Sequence, residues 1–223
     1  MDNRKKWTSR QDLLRKALAS KPRFDEAIAL FLEQHAAVHT AQISNPNIWS
    51  LHDEVLTELS SEQIQLIPAT GQNSIAWLLW HITRIEDMTI NTFTMDQAQV
   101  WNKDWSNRLG YPSPDCGAGM NDEEVAAFSA AIIPEVLLEY RAAVGQQTRL
   151  SVSKLTAAQS REIVPDTVVH RLVGEGSISA QAHWLYEFYT HRTRAFFLTR
   201  TATSHNFVHL NEASRVAKKL FKS

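Results

Sequence analysis

The sequence predicts an all-α protein: a four-helix bundle with extra short helices and long crossover loops. Three observations predict it. Seven Gly and seven Pro leave few breaks in 223 residues. Apolar residues recur at helical rather than alternating spacing, and four stretches of three or more turns each carry an apolar stripe that must be buried against a neighbour. A hydrophobic fraction of 43% with 21% charged residues excludes dominant disorder.

Residues 1–23 read as an N-terminal extension and 24–223 as one helical domain. The first long helix is predicted over 24–43, with Ile28, Phe31, Leu32, His35, Val38 and His39 on one broad face and Asn45-Pro46-Asn47 ending it. Ser50 can cap a short helix carrying Leu51, Val55, Leu56 and Leu59, and Ser60-Ser61-Glu62-Gln63 starts another. Pro68 and Gly71 break the chain before a second long helix over 74–94, which holds Trp77, Trp80, His81, Arg84, Ile85 and Met88.

Gly110, Pro112, Pro114, Gly117 and Gly119 make 109–121 a long loop covering one end of the molecule. Asn121, three residues before Glu124, caps a helix over 123–129. Pro134 then opens a long helix over 134–155, with Val136, Leu137, Tyr140, Ala143, Val144 and Thr148 as its buried stripe. The β-branched pairs Ile163-Val164 and Val168-Val169 around Pro165 predict a loop or brief hairpin over 161–178. The last helix runs from 193 or 194 to 220, with Phe197, Thr201, His205, Val208, His209, Glu212, Val216 and Leu220 along one side. No internal repeat, low-complexity tract or domain linker interrupts the pattern.

Lys plus Arg is 23 and Asp plus Glu is 24, a formal net charge of −1, with a pI near 6.8. That offers no positive field for a phosphate backbone, so nucleic acid is a disfavoured partner. A lone cysteine, Cys116, cannot close an intramolecular disulfide, and a cytoplasmic protein is expected. The apolar run Ile75-Ala76-Trp77-Leu78-Leu79-Trp80 is far short of the ~18 to 20 residues of a membrane span. No apolar block follows Met1-Asp2-Asn3-Arg4-Lys5-Lys6, so neither a signal peptide nor a membrane partner is expected.

Nine His and seven Trp are the compositional oddities, and imidazole is the commonest metal ligand. His205 and His209 are four apart, which stacks two imidazoles on one helical face, and His81 sits in an apolar and aromatic stretch that turns it inward. Three neutral imidazoles leave coordination positions free for water or substrate. His183, Glu187 and His191 offer a rival ladder at the same spacing, and His35 with His39 form a further pair. Spacing alone does not separate these sets. His52 and His170 read as surface residues. Glu86 and Asp87 lie about 140° and 240° around the helix from His81 and read as partners in surface or inter-helix ion pairs. His39, Arg84 and Glu212 are candidate pocket residues.

The segments Asn73-Ser74-Ile75-Ala76-Trp77-Leu78-Leu79-Trp80-His81-Ile82, Arg84-Ile85-Glu86-Asp87 and His205-Asn206-Phe207-Val208-His209-Leu210-Asn211-Glu212-Ala213 together resemble the DinB-like superfamily. The resemblance extends from about Phe24 to Leu220. It implies an up-down-down-up four-helix bundle and a divalent metal held by His81, His205 and His209, against the rival His183, Glu187 and His191. Asn211 departs from the Gly of the ending that relatives often carry. Zn²⁺ or Ni²⁺ suits three imidazoles better than Mg²⁺ or Ca²⁺. The resemblance further implies a homodimer and an enzyme that activates a low-molecular-weight thiol, or water, for transfer or hydrolysis of a small-molecule substrate. The alternative is a stress-associated metal-binding or scaffold protein without turnover. Cys116 matches no motif and reads as incidental.

Overall fold

In the computed structural model, two apolar clusters are separated by a layer of buried polar side chains, and the long helices pass from one cluster to the other through that layer. The structure describes residues 2–69 and 71–221. Thr70, in the predicted break, and Lys222 and Ser223, at the end of the predicted domain, lie outside the described residues, as does Met1. The chain is all-α: among the described residues there is no strand, only an isolated bridge between Ile163 and Thr193. No helix among them is long and apolar enough to cross a membrane.

The stretch expected as an extension forms helix α1 (Asn3–Leu18), which packs along α2 (Phe24–Ala36). Its apolar positions are sparse but in phase: Trp7, Leu14, Ala17 and Leu18 are buried on one face among charged neighbours. The Trp7 indole N–H donates to Gln34 O at 3.2 Å, and Gln34 Nε2 donates back to Trp7 O at 2.8 Å. The predicted first helix therefore splits. α2 stops at Ala36, and residues 41–43 form a separate 3-10 turn.

Short helices α3 (Leu51–Leu56) and α4 (Ser61–Gln65) follow, each with the predicted serine accepting from a backbone N–H of the first turn. α5 (Ile75–Glu86) starts at Ser74, whose hydroxyl accepts from Trp77 N at 3.0 Å, and all twelve of its residues are buried. It continues as a π-helix over Asp87–Thr94. α6 (Lys103–Leu109) ends on Gly110 at φ 73°, the left-handed conformation that glycine adopts without strain. α7 (Asp122–Ala131) has the Asn121–Glu124 capping box, and α8 (Pro134–Val152) begins at Pro134 as expected.

The predicted loop or hairpin over 161–178 is instead largely helix α9 (Asp166–Gly174). Pro165 precedes its first turn, and Val169 and Leu172 face the core three residues apart, so Val168-Val169 belongs to a helical segment, whereas Ile163-Val164 lies before it with Ile163 in the isolated bridge to Thr193. After the single turn and a half of α10 (Trp184–Tyr189), the last arm runs as α11 (Arg194–Thr199), a π-helix over Arg200–His205, and α12 (Asn206–Leu220). The two π-helices contact one another, and α5 packs on α8 and α12.

Ile85, Met88 and Phe93 belong with Phe31, Leu172, Tyr189 and Phe197 in one cluster; Trp77, Trp80 and Ile82 belong with Leu51, Tyr140, Val144 and Leu210 in the other. Between them sit His35, His39, Thr83, Arg84, Glu86, Asp87, Arg141, Thr201 and Asn206, all buried. Gly145 of α8 faces this layer. A Cβ there would stand 2.6 Å from His39 Nδ1 and 2.5 Å from Ile43 Cδ1, and the His39 ring cannot retreat because it is stacked on His35. Gly145→Ala should gain about 1 kcal/mol of helix propensity but lose more to overpacking, which costs about 1–3 kcal/mol. The expected outcome is a lower urea midpoint with an unchanged m-value, and a midpoint at or above wild type would refute the close approach.

Candidate metal centre

Helix α5 and the last arm bring three imidazoles to one cavity. His81 comes from α5, His205 ends the π-helix, and His209 lies one turn on in α12. Ring centroids are 4.9 Å apart for His81–His205, 5.0 Å for His81–His209 and 4.5 Å for His205–His209. One ring nitrogen from each lies within 4.8 Å of the others.

Two of the three rings are held by hydrogen bonds at the far nitrogen. His81 Nδ1 donates to Cys116 O at 2.8 Å, and His209 Nδ1 donates to Glu212 Oε2 at 2.9 Å. Each therefore presents Nε2 with a free lone pair, the tautomer a metal ligand needs. The third ring, His205, keeps a buried Nδ1 without a hydrogen-bond partner among the described residues. Trp77 lies parallel to His81, with centroids 4.8 Å apart and planes 9° apart. Burial, and then the neighbouring His209, bring His81 down to about 4. Burial together with His81, His209 and Arg200 holds His205 well below the ordinary imidazole range. Such rings stay neutral at pH 7 and suit a cation. The donor set fits a borderline-soft divalent ion with positions left open.

The cavity has a volume of about 340 Å³ and is lined by the three histidines, Trp77, Ile85, Ala118, Gly119, and a wall of Trp184, Leu185, Phe188 and Tyr189, with Arg200 and Thr201. Loop 109–121 closes the side beside α5 through three backbone carbonyls. Trp80 Nε1 donates to Asp115 O at 3.0 Å, His81 to Cys116 O, and Arg84 Nε to Pro114 O at 2.9 Å. Gly117, at φ 75°, is required here: a Cβ would stand 2.8 Å from Trp77 Nε1.

A second group, His35, His39 and Glu86, also lies within ligand distance. Its nitrogens are engaged differently. His35 Nε2 and His39 Nε2 each donate to one oxygen of the Glu86 carboxylate at 2.9 Å, and Asn206 Nδ2 donates at 3.0 Å. Burial opposes ionisation of Glu86, but the facing His39 and His35 outweigh it and hold the carboxyl well below its usual range. Burial, against the pull of Glu86, keeps His39 well below the usual imidazole value. None of these residues lines the cavity, so the group is an internal polar node.

Several candidates fall elsewhere than expected. His39 is not in the pocket; it serves Glu86. Arg84 is fully buried behind the cavity, bonded to Asp87 Oδ2 at 2.9 Å, Tyr140 at 2.7 Å and the Pro114 carbonyl. Glu212 reaches the site through His209. Of the surface or inter-helix ion pairs expected of Glu86 and Asp87, Glu86 makes the inter-helix kind with His35 and His39, and Asp87 pairs with Arg84 of its own helical segment, both fully buried. His52 is buried beside Asp53 rather than on the surface, whereas His170 is exposed as expected. His183, Glu187 and His191 do not converge: α10 ends at Tyr189, and His191 lies beyond it at φ 58°, its side chain exposed. Sequence reasoning missed the Cys116 carbonyl, which no side-chain pattern encodes, and Arg200, which an α-helical reading places off the His205 face. The Cys116 thiol is pushed up to about 11 by burial and is no thiolate at neutral pH.

The depressed imidazoles fix a pH response. His39 and His52 are neutral in the folded chain because burial lowers both, whereas in the unfolded chain they titrate near 6.5. Below that pH the unfolded state binds protons that the folded state does not, so stability falls as pH drops. Urea unfolding of metal-free protein from pH 8 to 5.5 should be flat above about pH 7 and steepen below it. His39→Gln should remove up to about 1.4 kcal/mol per pH unit of that slope. A flat wild-type profile to pH 5.5 would mean that these imidazoles protonate in place.

No curated protein matches the chain. A family model described as the DinB superfamily matches residues 47–212, which include all three histidines of the centre. The chain belongs to the DinB superfamily.

Proposed function

We propose that the chain binds one divalent cation, Zn²⁺ or Ni²⁺, through His81, His205 and His209, and that this centre activates a low-molecular-weight thiol or a water molecule for reaction with a small substrate held in the adjoining cavity. The observation that carries the reading is the convergence of three imidazoles at a cavity wall, two of them oriented from behind by Cys116 O and Glu212. A bound divalent ion would supply Lewis acidity that lowers the pKa of a thiol or water toward neutrality.

The chain's own residues do the rest. Cys116 O and Glu212 fix the ring orientations of His81 and His209. The aromatic wall excludes water and seats an apolar body. Cys116 is buried, protonated and outside the cavity lining, which favours a thiol supplied from solution over an internal nucleophile.

Elemental analysis of untagged protein should give about one equivalent of metal, absent from His205→Ala plus His209→Ala. Metal retained by the double variant, or none after reconstitution of wild type, would refute the assignment. Glu212→Gln should keep the fold and weaken metal affinity roughly 10- to 100-fold, the usual cost of losing a partner behind a ligand. Addition of 2-mercaptoethanol to Co²⁺-substituted protein should produce a thiolate-to-metal absorption band. Its absence would leave water, or binding without turnover, as the use of the centre.

A further inference from the structure

We infer that Arg200 is the anion-recognition group of the cavity, and that the ligand bound beside the three histidines is a small carboxylate with an apolar or aromatic body. The inference rests on reading that cavity as the substrate site and specifies what enters it.

The local backbone places the group. In an α-helix, residues five apart stand about 140° apart around the axis, so Arg200 and His205 would face different ways. Over Arg200–His205 the arm is a π-helix, whose wider i→i+5 turn brings such residues toward one side. Arg200, Thr201, His205 and His209 accordingly all line the one cavity.

The charge pattern then selects the ligand. No Asp or Glu lines this cavity, and Arg200 is its only permanently charged residue. Other arginines are engaged: Arg84 with Asp87, Arg141 with Asn206 and Val38 O, Arg194 with Glu162. The guanidinium of Arg200, an exposed residue, makes no hydrogen bond or ion pair among the described residues and lies over the Phe188 ring at 5.6 Å. Such a stacked guanidinium keeps its planar donor fork available, the geometry that recognises a carboxylate by two parallel hydrogen bonds. The volume of about 340 Å³ is near the lower end for small-molecule sites. The Trp184, Leu185, Phe188 and Tyr189 wall suits a single ring or short aliphatic chain.

The test compares phenylacetate with its neutral isostere phenylacetamide by amide chemical-shift titration, on chelator-treated and Zn²⁺-loaded protein, for wild type, Arg200→Gln and Arg200→Lys. Metal-free wild type should bind phenylacetate at least about tenfold more tightly than phenylacetamide. Arg200→Gln should abolish that preference without changing phenylacetamide binding, and Arg200→Lys should retain part of it. Equal binding of the two probes, binding of neither, or a preference that survives Arg200→Gln would overturn the inference. A preference seen only with Zn²⁺ and indifferent to Arg200 would place the carboxylate on the metal: the inference fails and the metal reading stands. If the chain takes up no metal yet shows the Arg200-dependent preference, the inference stands and the metal reading fails.

Discussion

An ionised carboxylate at the centre of a protein is tolerable only when donors surround it, and Glu86 is where this chain meets that condition. His35 and His39 of the first long segment and Asn206 of the last arm all donate to it, so one carboxylate joins three separate stretches of chain. Its positive counterpart is Arg141 on α8, which burial brings down to about 10 against the pull of Glu86 and Asp53, still charged at neutral pH. Arg141 does not touch Glu86. It donates to Asn206 Oδ1 at 2.8 Å, and Asn206 passes the polarisation on through its own N–H. Removing one member would strand a buried charge or donor, a far larger loss than the net worth of any one bond.

The cluster of His81, His205 and His209 is downstream of that node. Asn206 is the residue after His205, so the bond that stabilises Glu86 also fixes the start of α12 and the azimuth of the two imidazoles above it. On the other side, Trp80, His81 and Arg84 hold the carbonyls of Asp115, Cys116 and Pro114. The loop is thus sewn to the helix that carries His81, and its rigidity is the rigidity of the His81 ring. Arg84 is held in turn by Asp87 and Tyr140. The polar layer between the two apolar clusters is therefore also the scaffold of the site.

Much of this was legible in the sequence. The all-α class, the serine and asparagine caps and the proline start of α8 follow from local rules that tertiary context did not override, whereas the predicted helix over 24–43 stops at Ala36 and those over 74–94 and 193–220 each contain a π-helix. The gathering of His81, His205 and His209 was anticipated from residue types and resemblance. What escaped has physical reasons. α1 buries few residues on a largely charged helix, so its stripe is faint against its composition. α9 carries the β-branched pair Val168-Val169, whose strand preference was overridden by packing of Val169 and Leu172. Glu86 reads as a partner in a surface or inter-helix ion pair, and nothing local announces that its partners will be two histidines some fifty residues earlier. The Cys116 carbonyl is invisible in principle, since a backbone ligand partner leaves no side-chain signature.

The π-helix of the last arm makes that arm two rods joined out of phase. Residues before Arg200 keep register with the Phe197 cluster, and residues after His205 keep register with the Leu210 cluster and the imidazoles. Loss of a single residue between them would restore an unbroken α-helix and rotate everything beyond it by about 100°. The two halves can each satisfy their own core only because the turn between them is wide. The fold thereby stores its functional alignment in a length of chain rather than in any one side chain.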